Sequence, residues 1–209
     1  MMRLLRSLPP PFKQTMVVTW SLRGRLLLAP SFLGVLASLS PCPVLANPTG
    51  GTVSAGNVSI NSSGNTLTVN QSTNSAIIDW RGFDINQGEI TSFVQPSSSS
   101  ITLNRVNSSS ASTINGALNA NGNIVIVNPH GIVCGSGSQV NVNSLVATSA
   151  NITDANFMAG NLTFDQPGDP TAAIENRGTI TAADAGLVGM VAPNVLNSGT
   201  ITAKLGRVH

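Results

Sequence analysis

Asn176-Arg177-Gly178-Thr179-Ile180-Thr181-Ala182 recurs 21 residues later as Asn197-Ser198-Gly199-Thr200-Ile201-Thr202-Ala203, identical at six of seven positions. A weaker echo, Asn115-Gly116-Ala117-Leu118-Asn119-Ala120, lies close to three such periods upstream. A period near twenty residues, with apolar residues alternating and Gly or Asn at the corners, describes one rung of a parallel β-helix. In such a rung Ile180 and Ile201 point inward, and the backbone bonds to the rungs above and below. The competing reading is a β-sandwich whose hairpins resemble one another.

Composition supports strands. Of 209 residues 41% are hydrophobic, which is enough for a core, yet only 9% are charged and Tyr is absent. Gly, Asn, Ser and Thr take the place of Lys and Glu, a balance suited to turns and strands rather than surface helices. Alternation marks strands at Thr66-Leu67-Thr68-Val69, Ile101-Thr102-Leu103 and Val140-Asn141-Val142. Only residues 154–160 suggest a short helical turn.

The basic residues are unevenly spread. Arg3, Arg6, Lys13, Arg23 and Arg25 precede residue 47 with no acid among them, and the remainder holds five basic and eight acidic residues, a net −3. A chain this mildly acidic offers no basic stripe for phosphates, so nucleic acid is not an expected partner. The basic opening leads into an apolar run over residues 26–39, then Pro41 and Pro43, which is the pattern of a secretory signal peptide. Val44-Leu45-Ala46 supplies the small-residue site, so residues 1–46 read as the leader, cut between Ala46 and Asn47, and residues 47–209 as the exported domain. A membrane anchor is disfavoured, because fourteen residues fall short of the ~20 that span a bilayer. A lipoprotein cut before Cys42 is disfavoured by Pro41, and Met16 is an alternative start. Removing the leader takes Cys42 and leaves Cys134 without an intrachain partner. With no polar cap near His209, the solenoid reading expects further rungs beyond it, the present chain being a truncated, split or decayed copy.

Asn128-Pro129-His130-Gly131 fits the type I turn formula, with Asn first, Pro second and Gly fourth. It connects Ile124-Val125-Ile126-Val127 to Ile132-Val133, runs too continuously apolar for a strand wetted on one face.

Taken in order, several segments resemble the two-partner secretion, or haemagglutination-activity, domain of filamentous haemagglutinins and related exoproteins. They are Asn47-Pro48-Thr49-Gly50-Gly51, Trp80 with Phe83 and Ile85, Leu103-Asn104-Arg105-Val106, and Ile114-Asn115-Gly116 with Asn119-Ala120-Asn121-Gly122. The Asn128 turn follows, then Val140-Asn141-Val142 with Leu145-Val146-Ala147, Asp154-Ala155-Asn156-Phe157 and Gly160-Asn161-Leu162-Thr163-Phe164. The resemblance covers residues 47–209. It implies an all-β fold, a right-handed parallel β-helix (a pectin-lyase-like solenoid) with an N-terminal β cap and a side hairpin. It also implies export by the Sec machinery with signal peptidase, then recognition by an outer-membrane β-barrel transporter carrying POTRA domains. The expected function is the N-terminal secretion domain of a filamentous haemagglutinin-like surface adhesin, placed at the cell surface or in the medium. Carried-over secretion determinants are Asn128, Pro129 and Gly131, with Asn104 and Arg105 as further members, acting either by partner contact or by nucleating the fold. Two departures stand out: His130 replaces the family's usual Asn, and Cys134 stands where Phe is common. The Asn-Pro-Asn-Leu motif of some members is absent.

Catalytic constellations are scarce. His130 and Cys134 sit four apart across a turn, which does not place them as a nucleophile pair. Asp79, Asp84 and Glu89 would form a carboxylate cluster in a carbohydrate-cleaving β-helix, but read better as solvated loop positions. No phosphate loop, metal spacing or cofactor motif is present, so no cofactor or metal is expected. The alternative function is a stand-alone secreted adhesin binding carbohydrate or matrix, with a host-surface receptor or glycan as its partner.

Overall fold

A computed structural model describes residues 46–205 and 207–209. Of the expected leader, residues 1–46, all but Ala46 lies outside them. The chain enters as β1 (Thr52–Ala55), turns into a hairpin of β2 (Val58–Ser63) and β3 (Thr66–Gln71), and continues into β4 (Ser75–Trp80). A second rung holds β5 (Ile90–Val94) and β6 (Ile101–Val106). The third has β7 (Ser112–Ile114), β8 (Ala117–Ala120) and β9 (Asn123–Val127); the fourth has β10 (Gly131–Cys134), β11 (Gln139–Val142) and β12 (Ser144–Thr148). An excursion carrying α1 (Asp154–Met158) precedes the fifth rung, β13 (Ala173–Asn176), β14 (Thr179–Ala182) and β15 (Leu187–Val191). The sixth is β16 (Asn194–Asn197), β17 (Thr200–Ala203) and β18 (Arg207–Val208).

Strands at equivalent places in successive rungs pair in parallel and build three sheets, ordered β1-β4-β6-β9-β12-β15-β18, β16-β13-β10-β7 and β17-β14-β11-β8-β5-β3-β2. This is the parallel β-solenoid expected, with about six turns. The 21-residue repeat is its register: Thr179 pairs with Thr200, Ile180 with Ile201 and Ala182 with Ala203. Inward positions stack through the sheet, with Leu118 on Val140 and Val140 on Ile180, all buried. Each such aliphatic side chain contributes roughly 1.5–3 kcal/mol by leaving water. The alternating outward positions carry Asn119 and Asn141, whose amides bond to each other at 3.2 Å.

The upstream echo spans two rungs rather than three. Ala117 pairs with Gln139, and Gln139 with Thr179; the surplus chain is the excursion between β12 and β13.

The N-terminal cap is antiparallel. β1 runs against β4 and β2 against β3, so each occupies the last place of a seven-stranded sheet and covers the edge of the first rung. Gly51 lies so close to the Trp80 ring that a Cβ would sit 2.6 Å from Cζ3. Trp80 in turn meets Phe83 edge to face at 5.8 Å between centroids.

The side excursion is tied at its neck by antiparallel bonds between Asn151 and Gln166. Its helix matches the short turn expected near residue 154. Thr153 caps it, its side chain accepting from the Asn156 amide at 3.2 Å. Ile152 and Phe157 pack with Ile77, Leu103, Val125 and Val127 in a second apolar cluster separate from the solenoid interior. The middle strands of that sheet are therefore buried on both faces, which accounts for the unbroken apolar run Ile124 to Val127. In the sixth rung Val195, Leu196, Leu205 and Val208 are exposed.

Candidate functional site

The Asn128 turn carries β9 across a corner into β10. Gly131 N–H donates to the Asn128 carbonyl at 2.9 Å, closing the turn. The Asn128 Oδ1 accepts from the His130 amide at 2.9 Å, so its side chain braces the turn from within. Its Nδ2 donates to the Ser110 carbonyl at 3.1 Å and to Ser112 Oγ at 3.0 Å. Asn128 is fully buried, and both ends of its amide are bonded inside the domain. Gly131 has φ +107, and a Cβ there would collide with the Ala173 carbonyl of the next rung, so glycine is required twice over. The Pro129 carbonyl accepts from Asp169 N–H at 2.9 Å, anchoring the far end of the excursion. Beside it the Thr171 hydroxyl and amide hold the Asp169 carboxyl below its usual range, with a smaller contribution from the charge of His130.

Asn104 and Arg105 lie on the strand next to β9, where Arg105 registers with Val127, the residue before the turn. They face opposite ways. Asn104 points into the solenoid, fully buried, accepting from the Trp80 indole Nε1 at 3.0 Å and donating to the Val125 carbonyl at 3.3 Å. Arg105 points outward and reaches four acceptors: Asp79 Oδ1 at 3.1 Å, Asn151 Oδ1 at 3.0 Å, the Ile152 carbonyl at 3.0 Å and Asp154 Oδ1 at 2.7 Å. Arg105 thus fixes the near end of the excursion while Pro129 fixes the far end. The five candidate residues form one structural neighbourhood that holds a corner and a covering segment.

The carboxylates do not form a cluster. Asp79 is engaged by Arg105 and Ser54, and Asp84 Oδ1 accepts from Thr113 N–H at 2.7 Å. Glu89 departs from its expected solvated position: it is only 4% exposed and accepts from the amides of Ala46 and Asn86, both at 2.7 Å. Sequence carried no signal for that burial, since Gly88-Glu89 reads as an ordinary turn. Cys134 is buried inside the core cluster, and desolvation pushes its thiol up to about 12. Among the described residues no group of three His, Cys, Asp or Glu could hold a metal ion. Of the expected cleavage pair, Asn47 is buried; its Oδ1 accepts from Thr91 Oγ1 at 3.0 Å and its Nδ2 donates to the Asn65 carbonyl at 2.9 Å.

The architecture is a capped parallel solenoid whose motif residues brace a corner and a side flap. The chain belongs to the TPS (two-partner) secretion domain family, whose model matches residues 44–207. It is 38% identical over 105 residues to a heme/hemopexin-binding protein of Haemophilus influenzae (strain ATCC 51907 / DSM 11121 / KW20 / Rd), a match covering 50% of this chain and 12% of that protein. A second heme/hemopexin-binding protein of Haemophilus influenzae is 38% identical over 86 residues, covering 41% and 9%. The chain thus spans a small part of the curated relatives it matches. Among solved structures, the HMW1 secretion domain from Haemophilus influenzae superposes with a TM-score of 0.70 at 35% identity, covering 74% of this chain and 42% of that one. The chain is accordingly a secretion domain of an exoprotein, and its family indicates export across the outer membrane and implies a partner transporter there. The family points to a non-enzymatic role.

Proposed function

We propose that residues 1–46 direct Sec export, that signal peptidase cuts between Ala46 and Asn47, and that the domain is then captured unfolded by POTRA domains of the outer-membrane barrel. Extended segments with alternating apolar side chains can add as a strand to a POTRA sheet edge. Rungs forming outside then bury apolar surface one after another and favour outward movement. The cargo is a filamentous haemagglutinin-like surface adhesin.

The observation that carries this reading is the internal satisfaction of the motif. Asn128 and Asn104 are wholly buried and Gly131 lies against the next rung, so they offer a folded-state partner no surface. They act instead on folding of the emerging chain, or are read before folding. The test is to present purified POTRA domains with the urea-unfolded chain during dilution and, separately, with the prefolded domain. The expected result is capture of the unfolded chain alone. Equal binding to the prefolded domain would overturn the unfolded-capture mechanism.

A further inference from the structure

Glu89 is a buried carboxylate with two neutral amide donors, Ala46 N–H on Oε1 and Asn86 N–H on Oε2. Among the described residues no lysine or arginine pairs with it. A charge taken out of water without a counter-charge is costly. One of its two donors, Ala46, is the last residue of the leader as read above, and the next residue, Asn47, is seated by bonds to Thr91 and Asn65.

We propose that Glu89 is the binding site for the α-ammonium group of the processed chain, an inference that rests on cleavage between Ala46 and Asn47. Hydrolysis adds one water across that peptide bond. Ala46 leaves with the carboxylate, and the Asn47 nitrogen takes both hydrogens and becomes an ammonium. Successive backbone nitrogens lie about 3.5 Å apart along an extended chain, so the new cation arises within one residue of the atom it replaces at Glu89. A neutral amide is exchanged for a full counter-charge, while the Asn47 side chain already holds that residue beside β5 through Thr91. Processing thereby ties the start of the domain to the second rung, and a chain still carrying its leader lacks this ion pair.

Lys204 is the only lysine after residue 13, so in a K204R chain the processed α-amine is the sole primary amine. That chain, leader included, is produced without a transporter, recovered from the periplasm, and its first residue read by mass spectrometry. Acetylation neutralises the amine, whereas reductive dimethylation keeps its charge. The expected result is a start at Asn47, a Tm about 5 °C or more lower after acetylation, and a Tm nearly unchanged after dimethylation. Adding Glu89→Gln should abolish the acetylation effect; if E89Q does not fold, the contrast between the two modifications still decides. A start elsewhere overturns the processing reading and the ion pair with it. A start at Asn47 with equal effects of acetylation and dimethylation, or an undiminished acetylation effect in E89Q, overturns the ion pair alone.

Discussion

Arg105 and Asp79 are register partners on neighbouring strands, and their side chains meet at 3.1 Å on the outer face of the sheet. The same guanidinium continues to Asn151, Ile152 and Asp154, so one side chain joins two rungs to the excursion. At 14% exposure it is largely withdrawn from water, which lifts these bonds above the worth of a surface pair. Arg105→Ala is expected to cost about 3 kcal/mol in chemical denaturation and to open the 149–172 segment to limited proteolysis. Unchanged protease resistance would show that the apolar contacts of Phe157 and Ile152 hold the excursion unaided.

Trp80 and Asn104 make the corresponding contact inside the solenoid. Asn104→Ala strands the indole N–H in an apolar interior, a loss of about 1–3 kcal/mol. Trp80→Phe removes the donor, so in a double-mutant cycle the N104A penalty should shrink in the W80F background. Strict additivity of the two substitutions would contradict the pairing.

Gly131→Ala meets positive φ and the Ala173 carbonyl together, and about 2–4 kcal/mol of destabilisation is expected. Pro129→Ala keeps every bond of the turn and should cost under ~1 kcal/mol. Equal effects of the two in thermal melts would mean that the turn, and not the approach of the next rung, limits stability.

These residues also show what sequence could and could not convey. The pairing of Thr179 with Thr200 was visible because identical rungs of identical length repeat the same letters. The Asn128 turn was visible because its geometry selects Asn, Pro and Gly. The echo at Ala117 lies close to three periods from Thr179 in sequence but two rungs away in space, since the excursion is about as long as a rung and leaves no mark on a simple offset. Two-sided burial of Ile124 to Val127 could be read from their unbroken apolarity, but not that Phe157 supplies the cover. The burial of Glu89 and the direction of Asn104 depend on which side of a rung each residue falls, and a polar side chain carries no periodic signal for that.

Cys134 gives a pH signature. Its thiol is pushed from an ordinary 9.0 up to about 12 by burial, so the folded state keeps it protonated where the unfolded chain would ionise. Its contribution to stability is complete below pH 9 and is lost as pH rises from about 9 to 12. Denaturation midpoints should therefore fall across that window, and less so in Cys134→Ala. At pH 8 a thiol reagent should label Cys134 only when denaturant is added; rapid labelling of the native domain would contradict its burial.

The most direct test of the account is to express the whole chain with and without its cognate outer-membrane transporter, and to quantify it in periplasm and medium. The account predicts processed protein in the medium only when the transporter is present, and retention in the periplasm otherwise. Equal amounts in the medium without the transporter would contradict two-partner secretion of this chain.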